Sequence, residues 1–135
     1  MKYYLDTNII IYAIKGKYPS IIKRFINVPY QSIVLPSIVI AELEFGAKKS
    51  ANYKKVTKKY EEFINHFDEV SFDNKAAKIY ADIRYDLEKK GAIIGPNDLI
   101  IAATVLANDG ILVTHNVKEF NRIKDLKIED WTEED

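Results

Sequence analysis

The chain contains no cysteine in 135 residues, and only two histidines, one methionine and one tryptophan. Without thiols there can be no disulfide, no thiolate nucleophile and no cysteine-held zinc. His66 and His115 are too few to build a histidine-based zinc centre. Glycine is also scarce, at five. None of the five falls in a G-x-G-x-x-G or G-K-[ST] loop, so the common nucleotide-binding modules are excluded. A G-x-S-x-G elbow, which a Ser-His-Asp hydrolase would need, is missing as well. No apolar run approaches the roughly 20 residues of a membrane span. The start, Met1-Lys2-Tyr3-Tyr4-Leu5-Asp6, reaches an acid too early for a signal peptide. These absences together predict a soluble, cytoplasmic protein with no membrane partner.

Excess charge is lacking too: 20 basic side chains balance 20 acidic ones. Distribution is more informative. Lys48, Lys49, Lys54, Lys55, Lys58 and Lys59 form a basic block, while residues 129–135 are rich in acid. A solvated helix face and an acidic tail account for both; alternatively, the lysines attract phosphate beside an active site. The length suits one domain over residues 1–135, able to bury about two-thirds of its unfolded surface without a staple.

Short β-like runs alternate with longer helical ones. Tyr3–Leu5, Ile33–Leu35, Glu69–Phe72 and Ile111–Thr114 read as strands, with Lys127–Glu129 as a short edge strand. Helical periodicity covers 7–15, 19–27, 37–48, 52–66, the stretch from Asp73 to just before Gly91, and a segment that opens at Gly95-Pro96-Asn97-Asp98 and runs through Leu99–Asn108, with a short helix after Asn116. Strands separated by helices imply parallel pairing through crossovers. The predicted fold is therefore a three-layer α/β domain, its central sheet of four to five strands mostly parallel.

Four polar residues stand out against this frame. Asp6 and Asn116 directly follow strands, where open α/β sheets place their ligands. Glu42 projects from a helical face shared with Ile38, Val39 and Phe45. Asp98 lies in the first turn of a helix opened by Gly95-Pro96. Taken singly, Asp6, Asp98 and Asn116 each have a helix-capping or dipole explanation, with Asn97 a candidate cap beside Asp98. Glu42 has none, because a carboxylate on an apolar face needs a positive partner or a raised pKa. Two carboxylates about 4 Å apart repel by roughly 4 kcal/mol at an effective dielectric near 20. Three in one crevice call for a cation. An oxygen-only donor set suits Mg²⁺ or Mn²⁺, and metal-assisted phosphodiester hydrolysis is the chemistry it favours.

The stretches Leu5-Asp6-Thr7-Asn8-Ile9, Ser37–Gly46, Ile94–Ala103 and Leu112–Phe120, followed by Ile128-Glu129-Asp130-Trp131, occur in the order found in one family. The chain resembles the PIN-domain ribonucleases, and more closely the VapC-type toxins of toxin–antitoxin pairs. Each motif alone is weak; their succession covers the whole chain and is specific. The resemblance implies a Rossmann-like PIN fold and Mg²⁺- or Mn²⁺-dependent endoribonuclease activity. A metal-activated water would leave a 5′-phosphate and a 3′-hydroxyl. Asp6, Glu42 and Asp98 match the acidic ligand positions. Asn116 stands where many members carry a fourth acid, and an amide supplies no charge. Thr7, Asn8, Asn97 and Thr114 would supply supporting hydrogen bonds. The resemblance further implies a homodimer, an RNA substrate and a cognate VapB-type antitoxin that inserts a segment into a groove and blocks the acids. Arg84, Lys48 and Lys49 are candidates for contact with RNA or antitoxin. Surplus aromatics at Tyr53, Tyr60, Phe63, Phe67, Tyr80 and Tyr85 serve as core or line an interface. The alternative that Asn116 keeps open is a catalytically weak PIN-fold module that binds RNA or protein.

Overall fold

The short apolar runs form one sheet because each can be covered on both faces by amphipathic or apolar helices. The structure, a computed structural model, describes residues 1–133; Glu134 and Asp135 of the acidic tail lie outside the described residues. The strands are β1 (Tyr3–Leu5), β2 (Ile33–Pro36), β3 (Asp68–Val70), β4 (Ile111–Val113) and β5 (Lys127–Glu129). Between them run α1 (Thr7–Lys15), α2 (Pro19–Asn27), α3 (Ser37–Lys49), α4 (Tyr53–Ile64), α5 (Asn74–Lys89), α6 (Pro96–Ala107) and α7 (Val117–Phe120). The sheet order is β3-β2-β1-β4-β5, and every pairing among the described strands is parallel.

Burial follows strand position. Central β1 hides Tyr4 and Leu5, and all four residues of β2 are buried. The outer strands carry exposed charge, Asp68 and Glu69 on β3 and Lys127 on β5, which discourages further pairing at the edges. Helix α6 is apolar nearly all round, with Leu99, Ile101, Ala102, Ala103 and Val105 buried, and it packs against α5, α3, β2 and β4. Trp131 is fully buried, with Tyr3 and Phe25 rings 5.4 and 5.5 Å away. The Ser20 hydroxyl donates to its carbonyl at 2.8 Å, so the segment after β5 is tied to α2.

The observed elements follow the periodicity, with small differences at the ends. The third strand begins one residue early, at Asp68, and stops at Val70, where its register with β2 ends at Pro36. The strand β4 ends at Val113, so Thr114 lies just past it, its amide still donating to the Glu129 carbonyl at 3.0 Å. Asn97 is not a helix cap: Gly95 occupies that position and Pro96 opens α6. Of the surplus aromatics, Tyr60 is core, and Phe63, Phe67 and Tyr80 pack against it. Tyr53 and Tyr85 stay exposed.

Gly110 shows how closely β4 approaches β1. A Cβ there would sit 2.3 Å from Cε1 of Tyr4, a ring buried in the central strand. Gly46, inside α3, has open space where its Cβ would be. Gly110→Ala should therefore cost about 1–3 kcal/mol by overpacking. Gly46→Ala should add roughly 0.5–1 kcal/mol by removing backbone entropy from the unfolded chain. Thermal unfolding of the two variants should move Tm in opposite directions.

Candidate active site

The sheet changes direction at β1. The chain moves outward from β1 to β2 and β3, then returns to place β4 on the other side of β1. Such a switch point opens a crevice beyond the carboxyl ends of the two strands. Leu5 is in register with Val113, and the Asp6 amide donates to the Val113 carbonyl at 2.9 Å. Asp6 and Thr114 are thus neighbours in space because the two strands end together.

Asp6 caps α1, and it does more than cap. One carboxylate oxygen accepts from the Thr7 amide at 2.8 Å, and the other accepts from the Thr114 hydroxyl at 2.7 Å. The residue is only 6% exposed. The Thr7 hydroxyl donates to Oε1 of Glu42 at 2.7 Å, which brings α3 to the same crevice. On the other side, the Asn116 amide N–H donates to the Thr114 hydroxyl at 3.0 Å. The Asn116 side chain donates to Oε2 of Glu119 at 3.1 Å. A continuous chain of contacts therefore runs from Glu42 through Thr7, Asp6, Thr114 and Asn116 to Glu119.

Glu119 did not figure among the sequence candidates. The signal was available: Asn116-x-x-Glu119 is a capping-box spacing, in which the third helical residue reaches back to the cap. Here Glu119 reaches the side chain of the cap, and its charge bears on Asp98. The crevice thus holds four carboxylates, Asp6, Glu42, Asp98 and Glu119, with an amide among them. Glu119 adds a fourth carboxylate to the three acids and the amide read from the sequence.

The electrostatics register that crowding. Burial raises the Asp6 carboxyl above the ordinary carboxylate range, opposed by the Thr114 and Thr7 donors and reinforced by Glu42. Asp98 is pushed up to about 6, first by desolvation and then by the charges of Asp6, Glu42 and Glu119. Its carboxylate makes no hydrogen bond to a described residue. Among the described residues, no lysine, arginine or histidine forms an ion pair with any of the four acids. Neither do any three acids or histidines stand in ready metal-ligand geometry. The donor set consists of oxygen atoms, of the kind suited to a hard divalent ion.

The remaining candidates lie outside this chain of contacts. Asn8 and Asn97 are exposed in the first turns of α1 and α6, and neither side chain bonds to a described residue. Lys48 sits 4.3 Å over the Tyr53 ring and 3.8 Å from Glu44, while Lys49 lies 4.6 Å over Phe45. Arg84 donates to Glu88 and Tyr80 on its own helix. Glu44 turns away from Glu42: it accepts from the Tyr53 hydroxyl at 2.6 Å and from that of Tyr60, and these donors hold its carboxyl below the usual range. Glu42 closes one side of an apolar groove of about 380 Å³ lined by Ile11, Ile14, Leu43, Val56 and Tyr60.

Comparison with known proteins agrees with this architecture. The PIN domain family profile matches residues 3–126. The chain is 40% identical over 133 residues to ribonuclease VapC2 of Rickettsia felis, covering 97% of this chain and 98% of that one. It is 36% identical over 132 residues to the tRNA(fMet)-specific endonuclease VapC of Shigella flexneri, covering 98% and 99%. The fold superposes with a TM-score of 0.91 on a chain from the crystal structure of Rickettsia felis VapBC2 bound to a promoter DNA fragment, at 38% identity and with 97% and 99% covered. The order of strands, the acids at their carboxyl ends and these relatives agree: the chain belongs to the PIN-domain family, and within it to the VapC ribonucleases.

Proposed function

We propose that this chain is the ribonuclease toxin of a toxin–antitoxin pair. It hydrolyses RNA phosphodiester bonds at the crevice of Asp6, Glu42, Asp98 and Glu119, with Mg²⁺ or Mn²⁺ held by these acids. The observation that carries the reading is the crowding at Asp98: burial first, and then the charges of Asp6, Glu42 and Glu119, push its carboxyl up to about 6, and among the described residues no cationic side chain is paired to any of the four. Bound there, a divalent ion would lower the pKa of water and offset negative charge building on the phosphate. The chain's own residues fix the donors. Thr114 and the Thr7 amide hold the two oxygens of Asp6, Thr7 orients Glu42, and Asn116 positions Glu119. At neutral pH Asp98 is mostly ionised and so available as a ligand.

The partners follow from the same family. The relatives are ribonucleases, and the superposed chain belongs to a VapBC assembly. A VapB-type antitoxin segment would lie in the apolar groove that Glu42 borders, and a homodimer is the expected state of the free toxin. No helix among the described residues is long and apolar enough to cross a membrane. Residues 1–135 function as a single domain in this account, in the cytoplasm.

Cleavage of single-stranded RNA by the purified chain should require Mg²⁺ or Mn²⁺ and stop with chelator. Asp6→Asn and Asp98→Asn should each reduce the rate at least a hundredfold or so. Thr114→Val, which keeps shape but removes a donor to Asp6, should lose about 10–100-fold. Intact RNA binding without cleavage would instead favour the binding module.

Glu119→Gln separates the two candidates for the fourth donor. It should impair cleavage more than Asn116→Ala does, and should weaken Mn²⁺ binding measured by calorimetry. An Asn116 variant worse than the Glu119 variant would return that role to the amide.

The charge repulsion also has a sign in stability. Asp98 ionises near 6 in the folded chain against an ordinary value of 3.8, so the folded state holds this proton more tightly. Stability is therefore lost as pH rises from about 4 through 6. In chelator, Asp98→Asn should stabilise the fold above pH 6 by about 1 kcal/mol after solvent screening, read as a higher Tm, and should give no gain below pH 4.

A further inference from the structure

Beside the acids lies a second cluster, of aromatic rings and a lysine, which the cleavage chemistry leaves unused. Helix α1 ends at Gly16, whose φ of +64° is a left-handed conformation that turns the chain back on itself. The turn brings Tyr18 against Tyr12, with ring centroids 5.1 Å apart and planes at 69°. The His115 ring completes the group, 6.3 Å from Tyr12 and 6.0 Å from Tyr18. Lys17 reaches over both tyrosines, its Nζ 4.8 and 5.4 Å from their centroids. Among the described residues it has no carboxylate partner.

The imidazole is held in place. Its Nδ1 lies 3.0 Å from Asp130 Oδ2 and 2.9 Å from the Thr132 hydroxyl. That hydroxyl donates in turn to the other oxygen of Asp130 at 2.7 Å. The bonding pattern assigns the Nδ1 proton to His115 as donor. Even so, His115 is exposed, and Tyr12 and Tyr18 are only half-buried. Packing of α1 on α2 explains the tyrosine pair alone. It does not explain why a rigidly held, exposed imidazole and a lysine without a carboxylate partner join the pair.

Position supplies the connection. His115 lies between Thr114, which donates to Asp6, and Asn116, which donates to Glu119. Tyr12 is six residues along α1 from the cap Asp6, a rise of about 9 Å. Four carboxylates repel a polyanion, so RNA needs attraction at their border. Aromatic faces with a nearby cation provide it without regard to sequence, because every base has a π-face and every nucleotide a phosphate.

We propose that Tyr12, Tyr18 and His115, with Lys17, form a nucleotide subsite flanking the scissile phosphate. An unpaired RNA base stacks on the rings, and Lys17 meets an adjacent phosphate. The inference rests on the ribonuclease reading above for its substrate, and its test is independent of cleavage.

Binding of a fluorescently labelled, unstructured RNA 12-mer to the full chain is measured in chelator, where metal-dependent hydrolysis is off. Tyr18→Leu and Tyr12→Leu should weaken binding about tenfold, while Tyr18→Phe and Tyr12→Phe should retain it. Lys17→Ala should weaken binding and lower the salt slope by about one phosphate contact. With metal restored, the leucine variants should raise KM and leave kcat little changed. Thermal unfolding of every variant checks the fold, and the phenylalanine pair keeps the test valid if a leucine variant is unstable. Leucine variants that fold and bind RNA as the wild type does would overturn the subsite. So would variants with unchanged RNA binding and KM that release a co-expressed antitoxin, since the surface would then belong to a protein partner. A chain that never cleaves RNA, yet loses RNA binding in the leucine variants alone, would defeat the nuclease reading and keep the subsite.

Discussion

One backbone hydrogen bond organises the crevice. The Asp6 amide donates to the Val113 carbonyl at 2.9 Å, closing β1 against β4 at the point where the sheet reverses its strand order. Parallel register puts the first residues past both strands side by side. The Thr114 hydroxyl can then reach Asp6, and Asn116 can bond Thr114 while turning its amide to Glu119. Gly110 makes the approach possible, since a methyl group there would collide with Tyr4. A slip of one residue between these strands would separate the acids.

The same geometry stores electrostatic cost. Asp6 has two donors to its oxygens and is nearly buried; Asp98 has none and takes the repulsion of three neighbours. Strained titration of this kind marks functional sites more often than structural ones, because a fold has no use for uncompensated like charges. A divalent cation would relieve that repulsion. The threonines and the amide determine which way the oxygens face, so the chain itself orients them. That division, charge from the acids and direction from their hydrogen-bond donors, is what metal-dependent hydrolysis requires of a protein.

Much of this was legible in the chain. Strands alternating with helices predicted a parallel sheet, and the sheet is parallel throughout the described residues. Asp6 and Asp98 were visible at a strand end and a helix start, and Glu42 as a carboxylate on an apolar helical face; the structure brings the charges of all three together. Two things were not legible. One was where Glu119 points: the spacing Asn116-x-x-Glu119 is in the chain, but a four-residue helix gives little periodicity to show that its charge bears on Asp98. The local partners of Lys48, Lys49 and Arg84, the candidates for contact with RNA or antitoxin, were the other: rings or carboxylates stand beside each of them. Strand ends differ by a residue or two because residue type does not show where backbone pairing stops: Thr114 suits a strand, yet the β4–β5 register ends at Val113.

The central claim is that the acids share one cation, with Asp98 the most strained of them. Proton release on Mn²⁺ binding tests it most directly, by titration calorimetry in buffers of different ionisation enthalpy. Because Asp98 ionises near 6, binding at pH 6 should expel about half a proton, and binding at pH 8 close to none. Asp98→Asn should abolish that release and weaken the ion. Mn²⁺ binding with no proton release at pH 6, or with undiminished affinity in Asp98→Asn, would contradict the account.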